Sequence, residues 1–351
     1  MNKIAKTVLM TGTALCAAGV VLSTAGYFAG GKDFTYTSDH MYVSGGNSSS
    51  RKNLTVMKKE QIDDFTKLNV DFEDFDLDIR TSDDDHYYME YKLEKNGRKN
   101  PLTWKDKDGE LTLEEPAGGS GSYYITYDLG IFSTHADLTE KKDALNTVVL
   151  YIPEKAQLSE AELQLSDGDL AADQLLCKEM TLELLNGDLM LDKGEFEKFD
   201  AKLSDGDLNV KELQCTDNMQ LKSGNGDVTI KKAELADGQI ALSDGDIQID
   251  NSSFNGDMKI NSSCGDVSVE MKNGSAEKTN IYLKATDGDV DTEGLSRGKT
   301  DNEEDTSVYE NKAGASAPTL NVECSDGDIT LTESENKEYE YPPDYASACK
   351  K

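Results

Sequence analysis

Histidine, paired cysteine, proline and basic charge are what this chain is short of, and each shortage closes a class of function. Only His40, His86 and His135 occur in 351 residues, and none has a nucleophile or carboxylate at catalytic spacing. The six cysteines, Cys16, Cys177, Cys215, Cys264, Cys324 and Cys349, form no CxxC pair and no zinc-ligand spacing. Lys and Arg number 36 against 68 Asp and Glu, a formal net charge of −32. A chain without a basic face cannot displace phosphate counterions, which excludes nucleic-acid binding. The same charge disfavours lying flat on an anionic membrane. Few prolines, with Val, Ile and Leu in regular alternation, exclude a disordered chain despite the charge. No stretch beyond the N-terminus has a helical period, and no catalytic, cofactor or metal site is expected.

What is present begins with an export signal. Lys3 and Lys6 precede an uncharged stretch over 7–31, and charge returns at Lys32 and Asp33. A spanning helix needs about 20 residues, so 1–31 is long enough to cross a bilayer. The basic start keeps the N-terminus in the cytoplasm and places everything after Gly31 outside. Ser23-Thr24-Ala25 also has the small-x-small form of a signal-peptidase site. The apolar run continues through Tyr27, Phe28 and Ala29, which favours an uncleaved single-pass anchor over a cleaved, secreted form. Leu15 before Cys16 is too large for lipoprotein processing.

Residues 32–60, with the run SGGNSSS at 44–50, read as a flexible linker. An N-terminal β region follows over 61–160. Val70 and Phe72, then Phe75, Leu77 and Ile79, place apolar side chains at period two. Met89, Tyr91 and Leu93, then Leu111 and Leu113, then Tyr123, Ile125 and Tyr127, then Val148, Leu150 and Ile152 repeat the pattern.

Over 161–333 the chain is repetitive. A Gly-Asp turn followed by Leu, Ile or Val recurs, with glycines Gly168, Gly187, Gly206, Gly226, Gly245, Gly265, Gly288 and Gly327. Successive gaps are 19, 19, 20, 19, 20, 23 and 39 residues. A fixed period of this size means stacked supersecondary units. In the long last gap, 295–317 lacks alternation and reads as an inserted loop, and 334–351 reads as a disordered tail. Aligned on the turns, Cys177, Phe196, Cys215, Leu235 and Phe254 fall in one inward column. Cys177 and Cys215 are two coils apart, about 9–10 Å, beyond disulfide reach. The fold expected is all-β: a parallel β-solenoid of 19–20-residue coils, preceded by an N-terminal transmembrane helix.

The turn chemistry has two explanations. Gly supplies a positive φ, and the Asp after it, at Asp169, Asp188, Asp207, Asp227, Asp246, Asp266, Asp289 and Asp328, never varies. A short invariant acid suits a carboxylate that caps backbone N–H groups of the turn. A stacked column of carboxylates could instead hold calcium, but calcium-binding nonapeptide repeats carry two glycines and a nine-residue period. Capping is the preferred reading.

The succession DFTKLNVDFEDFDLDI, NTVVLYIP, SDGDL, NGDLML, SDGDLNV, NGDVTI and SDGDIQI, over roughly 61–333, resembles the DUF4097 family. That resemblance implies a β-solenoid at the cell surface with an adhesin-like label, and it carries over no catalytic residue. Three functions follow: a membrane-anchored, non-enzymatic interaction protein of the cell surface whose partner is an envelope component; an accessory of envelope-stress sensing; or a polysaccharide-active β-helix enzyme. Against the enzyme, the acids recur once per coil instead of gathering in one place.

Overall fold

The period-two alternation folds as strands wherever the computed structural model describes the chain, namely residues 34–36, 41–43, 54–116, 145–292, 295, 298–303 and 305–334. Strands β1 (Phe34–Tyr36) and β2 (Met41–Val43) pair antiparallel with each other. All other strands belong to one sheet wound on itself. In chain order they are β3 (Leu54–Gln61), β4 (Lys67–Phe72), β5 (Asp76–Ser82), β6 (Tyr88–Glu94), β7 (Thr103–Lys107) and β8 (Glu110–Glu114). Next come β9 (Thr147–Pro153), β10 (Leu158–Leu165), β11 (Leu170–Asn186), β12 (Leu189–Asp205), β13 (Leu208–Asn225) and β14 (Val228–Lys231). Then follow β15 (Ala233–Asp244), β16 (Ile247–Phe254), β17 (Met258–Cys264), β18 (Val267–Met271) and β19 (Asn280–Thr286). The last are β20 (Val290–Asp291), β21 (Lys299–Glu303), β22 (Thr306–Asn311), β23 (Thr319–Asp326) and β24 (Ile329–Glu333).

One coil shows how the sequence makes the shape. Along β12, Leu189, Leu191, Gly194, Phe196, Phe199, Ala201 and Leu203 are buried. Alternation breaks at 192–193 and 197–198, where two outward residues come in succession and the chain rounds a corner. The Gly-Asp turn makes the third corner. Each coil stacks in parallel register on the next, Leu170 on Leu189 on Leu208 on Val228 on Ile247 on Val267 on Ile329. Seven inward positions per coil, at roughly 1.5–3 kcal/mol for each large apolar side chain, supply the stacking force. The expected column is present: Cys177, Phe196, Cys215, Leu235 and Phe254 are register partners, all at most 3% exposed. The twentieth residue of the longer coils is taken up at one corner, after Cys215 and after Phe254.

The order in space departs from the order in sequence at both ends. Coil β4–β5 lies between β8–β9 and β10–β11. Coil β23–β24 lies between β17–β18 and β19–β20. Antiparallel strands close the two ends: β7 on β8 and β6 on β9 at one, β22 on β19 and β21 on β22 at the other. Among the edge strands, β7 (TWKDK) and β21 (KTDNE) carry charges that oppose edge-to-edge pairing.

Three sequence-based boundaries change. The coil register starts in the N-terminal region at Lys67, because Phe75-Asp76 replaces Gly-Asp in the first turn. The stretch 295–317 contains the hairpin β21–β22 instead of a loop. Its inward residues Ser307 and Asn311 are polar, which hid the alternation around Tyr309. Part of 32–60 is strand, since the rim strand β3 needs few buried residues to pair with β6. The last coil ends at Ser334, whose N–H donates to the Met271 carbonyl at 2.8 Å. Residues 1–31, the strand expected around Tyr123, the spacer run at 44–50, and Cys16, His40, His135 and Cys349 lie outside the described residues. Among the described residues no helix is long and apolar enough to cross a membrane.

Candidate interaction surface

The recurring turn acids form one continuous chain of hydrogen bonds running from coil to coil. The Asp188 N–H donates to Asp169 Oδ1 at 2.9 Å, Asp207 to Asp188 at 2.8 Å, and Asp227 to Asp207 at 2.8 Å. Asp246 donates to Asp227, Asp266 to Asp246, Asp328 to Asp266 and Asp289 to Asp328, all at 2.8–2.9 Å. The flanking backbone donors point the other way: Leu189 N–H goes to the Asp207 carbonyl and Gly206 N–H to that of Asn225. The corner thus turns one N–H per coil toward the preceding coil, and the carboxylate is the acceptor that meets it. The acid serves the turn of the next coil, not its own.

Steric contact fixes the glycines. A Cβ on Gly187 would stand 2.2 Å from the Gly168 carbonyl oxygen, and one on Gly226 would stand 2.3 Å from that of Gly206. The close approach recurs at all eight turn glycines, Gly168, Gly187, Gly206, Gly226, Gly245, Gly265, Gly288 and Gly327. Positive φ occurs at only five of them: Gly206, Gly226, Gly245, Gly265 and Gly327. Room for the neighbouring coil, more than positive φ, is the common requirement.

The variable position before Gly also has an order. Successive coils place Asp167, Asn186, Asp205, Asn225 and Asp244 there. Asn186 Nδ2 donates to Asp167 Oδ1 at 2.7 Å, and Asn225 Nδ2 to Asp205 Oδ1 at 2.5 Å. Alternating amide and acid keeps like charges two coils apart and turns a repulsive stack into a bonded one.

On the face that follows the turns, one outward column carries no charge over seven coils: Ala171, Met190, Asn209, Thr229, Gln248, Ser268 and Thr330. In a protein of net charge −32 this stripe is bordered by the Asp ladder on one side and by Asp173, Asp192, Lys211, Lys231, Asp250 and Glu270 on the other. At the strand spacing, seven coils present about 30 Å of amide, hydroxyl and thioether groups. The next face holds a shallow cavity of about 340 Å³, where Lys193, Lys232 and Lys272 pair with Glu195, Glu212 and Glu234. Among the described residues no group of three His, Cys, Asp or Glu is placed to hold a metal.

The sequence matches the Toastrack DUF4097 family over residues 65–332, more than half of the chain. The chain belongs to that family. Among solved structures, the Toastrack chain is similar to a "putative adhesin" from Parabacteroides merdae, at 15% identity and TM-score 0.44, covering 81% of this chain and 97% of the other. It is also similar to a "putative lipid binding protein" from Parabacteroides distasonis, at 12% identity and TM-score 0.42, covering 82% and 98%. A "putative cell adhesion protein" from Clostridium sporogenes shares 18% identity at TM-score 0.24, covering 80% and 100%. None of the curated proteins compared matches the chain.

Two members of the Toastrack ladder escaped sequence reading. Asp76 Oδ1 accepts the Asp169 N–H at 3.0 Å, and Thr147 donates its hydroxyl to Asp76 Oδ2 at 3.3 Å. The signal was there: Phe75-Asp76-Leu77-Asp78-Ile79 aligns with Gly206-Asp207-Leu208-Asn209-Val210 once Gly is not required. Burial, only partly offset by these bonds, raises the Asp76 carboxyl above the usual range. His86 is exposed, with its backbone N–H on Asp84, and takes part in no site. Cys177, Cys215 and Cys324 are buried free thiols; burial pushes Cys177 up to about 12.

Proposed function

We propose that this Toastrack protein is a non-enzymatic, adhesin-like interaction module of the cell envelope, exported and held at the membrane by residues 1–31. The observation that carries the reading is the uncharged stripe along the coils, a regular surface about 30 Å long that suits an extended envelope polymer better than a small substrate. The turn acids support it from the other side. Their Oδ1 atoms are taken up by backbone donors, one per coil, and are not gathered as the paired carboxylates that polysaccharide cleavage needs.

The test is retention of the full purified chain on isolated cell-wall and membrane fractions, assayed separately. Saturable binding to one fraction is expected, with loss of at least about tenfold in affinity for the Asn209→Lys, Thr229→Lys pair. No binding to either fraction, or equal binding by that variant at unchanged melting temperature, defeats the proposal. Hydrolysis of an envelope polysaccharide, abolished by one Asp substitution, would establish the enzyme instead. Export is tested with protease added to wall-stripped cells; full protection behind an intact membrane rules it out.

A further inference from the structure

Five Asn-Gly pairs occur in the chain: Asn96-Gly97, Asn186-Gly187, Asn225-Gly226, Asn255-Gly256 and Asn273-Gly274. Such pairs share one spontaneous chemistry. The glycine nitrogen loses its proton and attacks the asparagine Cγ, the Cγ–Nδ2 bond breaks, and ammonia leaves. Solvent water then opens the resulting succinimide at either carbonyl, giving Asp or isoaspartate. Glycine permits this because no Cβ obstructs the approach. A glycine N–H held in a hydrogen bond is withheld from it.

The structure separates these pairs. In the solenoid corners, Gly187 N–H donates to the Asp205 carbonyl and Gly226 N–H to that of Asp244, both at 3.1 Å. The amides of Asn186 and Asn225 are fixed as well, on Asp167 and Asp205. In both pairs the attacking glycine nitrogen is held in the coil stack. Asn273-Gly274 is different. It forms an exposed turn closed by Ser275 N–H on the Lys272 carbonyl at 2.9 Å, with Gly274 at φ +74°. The Gly274 N–H has no acceptor among the described residues.

Asn273 also has a structural task. Its backbone N–H donates to Ser334 Oγ and its Nδ2 to the Ser334 carbonyl, both at 3.1 Å. Those bonds tie down the end of β24, the last strand. Asn96 and Asn255 hold no described partner through their amides. Only Asn273 therefore combines an open glycine nitrogen with an amide that a neighbouring strand needs.

We infer that Asn273 is a site of spontaneous deamidation, and that its conversion releases the C-terminal end of β24 while Asn186 and Asn225 are guarded by the coil stack. The product carboxylate faces the Ser334 carbonyl with no proton to give, so the tie is lost and the strand end frays. The same conversion at Asn186 would set three carboxylates side by side, Asp167, 186 and Asp205, which is the arrangement the alternating column avoids. This inference is independent of the proposed binding role.

The experiment incubates the full chain at mildly alkaline pH and follows each Asn-Gly peptide by mass spectrometry, beside a sample in denaturant where all five react. Conversion at Asn273 at least about tenfold faster than at Asn186 and Asn225 is expected, since each factor of ten corresponds to about 1.4 kcal/mol of opening needed to free a corner glycine. Corner asparagines reacting as fast as Asn273, or Asn273 staying an amide while the denatured sample converts, overturns it. Hydrogen exchange on Asn273→Asp gives the second readout. Faster exchange at 271–276 and 329–334, with 180–250 unchanged, supports the release of β24, and an unchanged pattern there refutes it.

Discussion

Asp207 reaches one coil forward, its Oδ1 accepting the backbone N–H of Asp227 at 2.8 Å, while its own N–H donates to Asp188 Oδ1 at 2.8 Å. Substitution at Asp207 therefore reports on the turn of the following coil. Asp207→Asn keeps an acceptor at the same place and should cost about 1 kcal/mol. Asp207→Ala orphans the Asp227 N–H and should cost roughly 1–3 kcal/mol. Chemical denaturation measures both, and hydrogen exchange should place the Ala effect at Asp227. Millimolar calcium should raise the melting temperature of the parent no more than magnesium does. A large calcium-specific rise would mean the ladder holds metal.

Gly187→Ala and Gly226→Ala distinguish crowding from backbone conformation. Gly226 has φ +108°, Gly187 lacks a positive φ, and each would place Cβ within 2.3 Å of a carbonyl of the preceding coil. Both should lose more than about 2 kcal/mol, because backbone cannot move aside as a side chain can. If only Gly226→Ala is destabilised, φ decides the column and the close approach does not.

Phe196 lies in the core column and stacks on Phe199 at 5.0 Å between ring centroids. Phe196→Ala should cost about 3–5 kcal/mol, and Phe196→Asp should unfold several coils by burying an unpaired charge. An unchanged melting temperature for the Asp variant would place Phe196 on the outside.

Asp76 sets a pH dependence of unusual sign. Its carboxyl is raised in the folded chain, chiefly by burial, so the native state holds its proton to higher pH than the unfolded state does. The group stabilises most below the unfolded carboxyl range near pH 4, and that contribution is lost as pH rises through the raised value. Asp76→Asn keeps the acceptor for Asp169 N–H without the buried charge. It should raise the melting temperature at pH 7 and leave it unchanged near pH 3. A drop at pH 7 would show that the charge itself strengthens the bond to Asp169.

The thiols divide by position. Cys264 is exposed in the column before Gly, whereas Cys177, Cys215 and Cys324 are buried, with burial raising all three thiols. A maleimide should label Cys264 in the native chain and the other three only after denaturation. Native labelling of Cys215 would mean the coil stack opens at that level.

Much of this was written in the sequence wherever one chemical rule governs one position. The apolar columns at Leu189, Leu191 and Phe196 follow from period two, and the coil length follows from the spacing of Gly206 and Gly226. The inward position of Gly194 did not show, since nothing apolar marks it. Asp76 was missed because Phe75 stands where the turn rule demanded glycine. The hairpin β21–β22 was hidden by Ser307 and Asn311, polar residues that face inward. The swapped coils at the ends are non-local pairings, which no window of sequence contains. The uncharged stripe was equally out of reach, because Asn209, Thr229 and Gln248 become neighbours only through stacking.

The placement of β4 between β8 and β10 has a mechanical consequence. Tension entering β4 from the chain before it meets a strand bonded along both edges. To pull β4 out, both parallel ladders must shear together, whereas a strand at an open rim would peel one bond at a time. β24, held between β18 and β20, resists a pull from the other terminus in the same way. The coil stack is thus gripped from inside through β4 and through β24. Its lifetime under load is set by that shearing barrier and not by its equilibrium stability.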